Sequence, residues 1–133
     1  MWKQKIGMSI SNQYSIPTPE AVRMLAKIGF DAISPVWNGK VDLDPTIEAA
    51  RACGLELQSL HAPFHGVNRM WNPDETISLP VKEELMHSLE DCHRWGIPVL
   101  VSHAWIGFGD EVGDVPTGLK NFEEVVIIAN EVF

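Results

Sequence analysis

One pattern repeats four times along this chain and restricts its fold more than any other feature. A short apolar run gives way to a proline-marked helix start, then an amphipathic stretch, then a glycine before the next apolar run. Residues 6–10 make the first run. Thr18 and Pro19 open the first helix, Thr18 as its cap and Pro19 in the first turn, where the missing N–H has no helical partner to lose. Ala21, Met24, Leu25 and Ile28 recur at spacings of three and four and give one apolar face. Gly29 ends the helix, because a left-handed cap suits a residue without a Cβ. Residues 30–37 form the second run. Asp44 and Pro45 open a second helix that runs through Ile47, Ala50 and Ala52, and Gly54 closes it. The third run is 55–64. Ser78, Leu79 and Pro80 open the third helix, with Val81, Leu85, Leu89 and Cys92 on one face, and Gly96 ends it before the fourth run, 97–105. Val115, Pro116 and Thr117 open the fourth helix, with Leu119, Phe122, Val126, Ala129 and Phe133 at helical spacing.

Apolar runs without strict alternation are what buried parallel strands require. The fold class expected is α/β, a parallel (βα)4 unit with strand order 1-2-3-4, in a single domain over residues 1–133. Four parallel strands cannot close a barrel, which needs about eight. The expectation is therefore half of a TIM barrel, and the last helix ends without a glycine cap or basic turn. Either a second half follows in a longer chain, or two copies pair. A small open sheet of flavodoxin type is the weaker alternative.

In a parallel unit, His61 and His103 both fall at the carboxyl ends of strands, the edge on which barrels build their sites. A single histidine there is more often structural; two at equivalent ends favour a site. Imidazole titrates near neutrality and serves as hydrogen-bonder, proton carrier or metal ligand. Trp37, Phe64 and Trp105 lie at or just beyond the same edge, with Asn12 and Asn38 as polar partners. Rings that accept the C–H faces of a sugar, beside groups that bind hydroxyls, suit a small polar ligand. His65 is expected to be exposed, His87 and His93 to lie on the third helix surface, and Trp71 and Trp95 to serve packing. Asp110, Glu111 and Asp114 read as a solvated loop, and Gly107 to Gly109 is no phosphate cradle.

With 10 basic and 18 acidic side chains, the net charge of -8 repels polyphosphate, and no basic patch is visible. Nucleic acid is not an expected partner. No apolar stretch reaches the ~18 residues of a membrane span and no signal sequence is apparent. Cys53 and Cys92 sit in helical patterns without metal-type spacing, which points to two semi-buried, reduced thiols and a cytoplasmic protein.

The stretch Gly29-Phe30-Asp31-Ala32-Ile33, the element Leu60-His61-Ala62-Pro63-Phe64 and the ending Val101-Ser102-His103 resemble, in that order, the second, third and fourth strands of the xylose-isomerase-like TIM-barrel superfamily. The resemblance covers the whole chain but only the first half of that barrel. It implies a sugar or sugar-phosphate isomerase or epimerase, moving a proton or hydride beside a carbonyl polarised by Mn, Mg, Co or Zn. It gives His61 and His103 a catalytic or substrate-contacting role, and Trp37, Phe64, Trp105 and Asn12 a substrate-binding one. Family members commonly carry a polar group where this chain has Ser34-Pro35, and their acidic metal ligands come from strands five to eight. His61 and His103 are therefore the sole metal-ligand candidates, an incomplete site. In the family's endonuclease branch such histidines ligate zinc, so a zinc-dependent phosphodiesterase is one alternative. A non-catalytic half-barrel for binding or assembly is the other. A homodimer through the open strand edges is the expected assembly, burying Met8, Ile10, Leu57, Ser59 and Leu100 as inward side chains.

Overall fold

The computed structural model describes residues 4–107 and 113–132. Phe108, Gly109, Asp110, Glu111 and Phe133, to which the sequence assigns a loop and a helix end, lie outside the described residues. Strand β1 (Gly7–Ile10) pairs in parallel with β2 (Ala32–Pro35), and β2 with β3 (Glu56–Leu57). Strand β4 (Leu60–His61) pairs in parallel with β5 (Leu100–Val101), and a parallel bridge from Val36 to His61 ties the two sheets together. The inner position of β2 rules out the flavodoxin-type order, in which the first strand lies inside.

The single third strand expected over 55–64 is instead two short strands, and the break has a definite cause. Ile33 stands opposite Leu57, yet three residues on, Val36 stands opposite His61 rather than Leu60. One extra residue has been taken up at Gln58–Ser59, a β-bulge. Leu57 and Leu60 therefore both turn toward the helices, which simple alternation forbids. Leu60 is fully buried beside Trp37, Ile47 and Cys92. His61, next in line, is sent to the opposite, open face. At the bulge the Ser34 and Ser59 hydroxyls meet at 2.7 Å.

The same register corrects the inward set. Ile10 and Leu57 pack with Val22 of α1 (Thr18–Ile28) and Ala49 of α2 (Asp44–Ala52), and Leu100 packs with Leu85 of α3 (Glu75–Trp95). They belong to the helix side. The open face carries Ser9, Ser34, Val36, His61, Val99 and Val101 by alternation, and is far less apolar than the sequence suggested.

The helices keep their glycine ends: Gly29 and Gly96 are left-handed caps with φ of 100° and 62°. Their starts differ in detail. Pro17 takes the cap position of α1, and the Thr18 hydroxyl reaches back to the Ser11 carbonyl at 3.5 Å. Helix α3 begins at Glu75, not at Ser78, because the Asp74 side chain accepts the Thr76 N–H at 2.9 Å and nucleates a turn earlier. Pro80 then sits inside the helix. A 3₁₀ segment, Val67–Trp71, precedes it. Helix α4 (Val115–Val132) buries Gly118, Asn121 and Val125, whereas Leu119 and Val126 are exposed. Its inner face is set by Trp71: a Cβ on Gly118 would stand 2.0 Å from that indole, and Asn121 Nδ2 donates to the Met70 carbonyl at 2.7 Å. Asp114 is exposed ahead of the helix, as a solvated loop residue should be, and its carboxylate also accepts the Thr117 N–H at 3.0 Å and caps α4.

Three contiguous clusters of apolar side chains form the core, one per strand–helix junction. Each fully buried Ile or Leu in them contributes about 1.5–3 kcal/mol relative to exposure. Cys92 is buried, and burial with the Asp91 charge pushes its thiol up to about 11. Cys53 is exposed, against the semi-buried placement expected. No helix among the described residues is long and apolar enough to cross a membrane.

Candidate functional site

The carboxyl edge of the β4–β5 pair brings His61 and His103 together. Leu60 N donates to Val99 O at 2.8 Å and Ala62 N to Val101 O at 2.9 Å, so the two strand ends lie level. The bulge aims His61 to the open face, and the two Nε2 atoms come within 3.2 Å, with ring centroids 5.1 Å apart. His61 Nδ1 lies 2.8 Å from its neighbour's carbonyl, Ala62 O. His61 is half-buried and His103 exposed.

Phe64 stands edge-on to His61 at 5.7 Å and 5.9 Å from His103. These three rings, with Trp105, Ile106 and Gly107, line an open cavity of about 510 Å³. Phe64 also walls a second cavity of about 310 Å³, whose rim includes Asn12, Trp37, Lys40 and His65. The expected residues thus divide between two adjoining hollows that share one phenyl ring. Trp37 offers little stacking surface: it is 6% exposed, packs among Leu43, Ile47 and Leu60, and donates from Nε1 to Asp91 at 2.6 Å. Asn38 turns into its own loop, its Oδ1 accepting from the Lys40 and Val41 N–H groups at 3.0 and 3.1 Å. Asn12 is exposed on the rim.

Residues that local sequence does not flag hold the site in place. Asn68, in the 3₁₀ segment, donates to Ile106 O and accepts from Ile106 N, both at 2.8 Å, as a strand would. Trp71 Nε1 donates to Ala104 O at 2.7 Å, and its ring meets Trp105 edge-on at 6.5 Å. Together they clamp the loop that carries His103 and Trp105. No periodicity marks Asn68, since its partner lies 38 residues away.

A divalent metal of the kind the resemblance implies needs at least three protein donors. Among the described residues no cluster of three or more His, Cys, Asp or Glu side chains comes together. Two imidazoles alone do not fit a resident metal. What they do provide is a hydrogen-bonded donor and acceptor pair beside apolar rings.

No family model and no curated relative matches the chain. Among solved structures, it is similar to a D-psicose 3-epimerase whose crystal structure was determined in the presence of D-fructose. The TM-score is 0.67 at 16% identity, over 93% of this chain and 48% of that one. The chain therefore spans about half the length of that protein. At this identity the likeness speaks for the fold: parallel strands and helices arranged as in part of a TIM barrel. It fits the xylose-isomerase-like resemblance carried by the His61 and His103 strand ends, over the same partial extent.

Proposed function

We propose that this chain is the four-strand amino-terminal half of a (β/α)8 barrel and supplies the substrate-facing wall of a sugar or sugar-phosphate isomerase or epimerase. The observation that carries this reading is the His61–His103 pair, in contact at the strand ends and floored by Phe64 and Trp105. A polyhydroxy ligand lays its C–H face on those rings and its hydroxyls against the imidazoles. Among the described residues no acidic group joins the two imidazoles, so on this reading the isolated half binds without turning over. The outer edge of β5, which no strand pairs among the described residues, favours a second, non-catalytic reading, a binding and assembly half that dimerises.

Saturation-transfer NMR on the full chain with D-fructose tests the proposal. Weak, millimolar binding is expected, reduced about fivefold or more in His103→Ala, with no epimer formed. Equal signals from wild type and variant would overturn it. Epimer formed by the chain alone would overturn the inactive-half part.

A further inference from the structure

We infer that His61 is a positioning residue that fixes the tautomer of His103, so that His103 meets a ligand with a bare, proton-accepting Nδ1. The inference rests on hydrogen-bond direction. A carbonyl oxygen only accepts, so at 2.8 Å from Ala62 O the His61 Nδ1 carries the proton. A neutral His61 then has a bare Nε2. That atom faces His103 Nε2 at 3.2 Å, and two bare nitrogens at that distance repel. His103 therefore carries its proton on Nε2 and donates it to His61. Neutral imidazole holds one ring proton, which leaves His103 Nδ1 as a lone-pair acceptor.

The surroundings support this assignment. His103 Nδ1 has no hydrogen-bond partner among the described residues, and His103 lines the cavity with Phe64 and Trp105. With both rings neutral, only one arrangement of protons satisfies Ala62 O, His61 and His103 together. The direction of the chain is set at its buried end by the backbone, which cannot reverse.

The chemistry follows on the reading above that the hollow takes a polyhydroxy ligand. A hydroxyl of that ligand donates to His103 Nδ1. Where the proton transfers, it leaves oxygen for Nδ1, the electron pair stays on oxygen, and the imidazolium keeps its Nε2–H on His61. The pair thus works in one direction, with His103 at the working end and His61 behind it.

Two-bond ¹H–¹⁵N correlation NMR of the full chain decides this without any ligand, so failure here is separate from failure of the sugar reading. Spectra are recorded with a chelator at about pH 8.5, roughly two units above imidazole's ordinary value of about 6.5. The expected result is His61 protonated at Nδ1, the less common form of a free imidazole, and His103 protonated at Nε2. His61 protonated at Nε2, or His103 bare at Nε2, overturns the inference. Exchange of the His103 Nε2 proton provides a second readout. It should quicken about fivefold in His61→Phe, which keeps the ring but removes the acceptor, and recover in His61→Gln, whose amide oxygen accepts. Unchanged exchange in His61→Phe also overturns it. Should that variant fail to fold, the wild-type tautomers still decide.

Discussion

The β1–β2 side of the molecule and the β5–α4 side are built from the same strand–helix grammar but finish differently. Between β1 and β2, helices α1 and α2 close over the sheet, and Ile10, Val22 and Ile33 disappear from solvent. Beside β5, Val99 and Val101 stay 49% and 41% exposed, and Leu119, Val126 and Ile127 of α4 face outward. A helix in this fold beds into the groove between two neighbouring strands. Helix α1 has both strands of its groove; α4 has β5 and nothing beyond it among the described residues. An apolar cavity of about 600 Å³ remains between α3, α4 and β5, lined by Leu89, Ile97, Phe122, Val125 and Val126. The amino end of α4 is fastened through Trp71, Gly118 and Asn121, and further along only Phe122 and Val125 join the core shared with α3 and Leu100. Identical local signals thus give a sealed layer where both neighbours exist and an open one where one is missing.

The largest expected effect tests that contrast directly. Ile33→Ala should lower stability in urea by about 3–4 kcal/mol, as truncation in a sealed core does. Val101→Ala, at the open edge, should cost less than ~0.5 kcal/mol. Equal costs would mean that β5 is covered after all.

Next comes the attachment of α4. Gly118→Ala drives a Cβ into the Trp71 ring and should destabilise by about 1–3 kcal/mol, with a loss of helical circular dichroism. Combining it with Trp71→Leu should return part of that loss. If Gly118→Ala is silent, α4 is held by something other than this contact.

Assembly follows. A bare parallel edge with exposed valines should self-associate, so the chain is expected to sediment as a dimer or larger at micromolar concentration. Val101→Lys should raise the dissociation constant about tenfold or more, an effect of about 1.4 kcal/mol. A wild-type monomer at every concentration would erase the difference between the two sides.

The smallest effect lies at the α3–α4 seam. The hydrogen bond and charge of Lys82, 2.5 Å away, hold the Glu124 carboxyl below its usual value. The hydrogen bonds from Thr76 and Thr117 do the same for the capping Asp74 and Asp114. A depressed folded-state value gives stability that is present above the ordinary carboxylate range, about pH 4, and is lost as pH falls through the depressed values. Lys82→Ala should cost below ~1 kcal/mol at neutral pH, and the difference from wild type should vanish in strong acid. A thermal-melt series against pH reads both.

Much of this was legible locally. Gly29 and Gly96 end their helices, Pro45 opens α2, and Leu85 and Cys92 face inward on α3, because each depends on backbone preference or spacing within a few residues. The placement of His61 and His103 at strand ends was legible for the same reason. Which way each side chain faces was not. Alternation from Leu57 carries His61 to the helix side; the bulge at Gln58–Ser59 reverses it, and that slip exists only relative to β2. The exposed Leu119 and Val126, which helical spacing groups with Phe122, mark the same limit. Helical spacing shows that a face exists, but Trp71, 47 positions before Gly118, chose which one.

The sequence by itself thus determined the kind and order of elements, where the helices end, and the two histidines as the centre of interest. Tertiary structure alone decided the faces they present, the 3.2 Å meeting of the imidazoles and the clamp from Asn68. The reason is range. Propensity, capping and periodicity act over a turn or two of chain, whereas register and packing are set by partners tens of residues away, which no local pattern encodes.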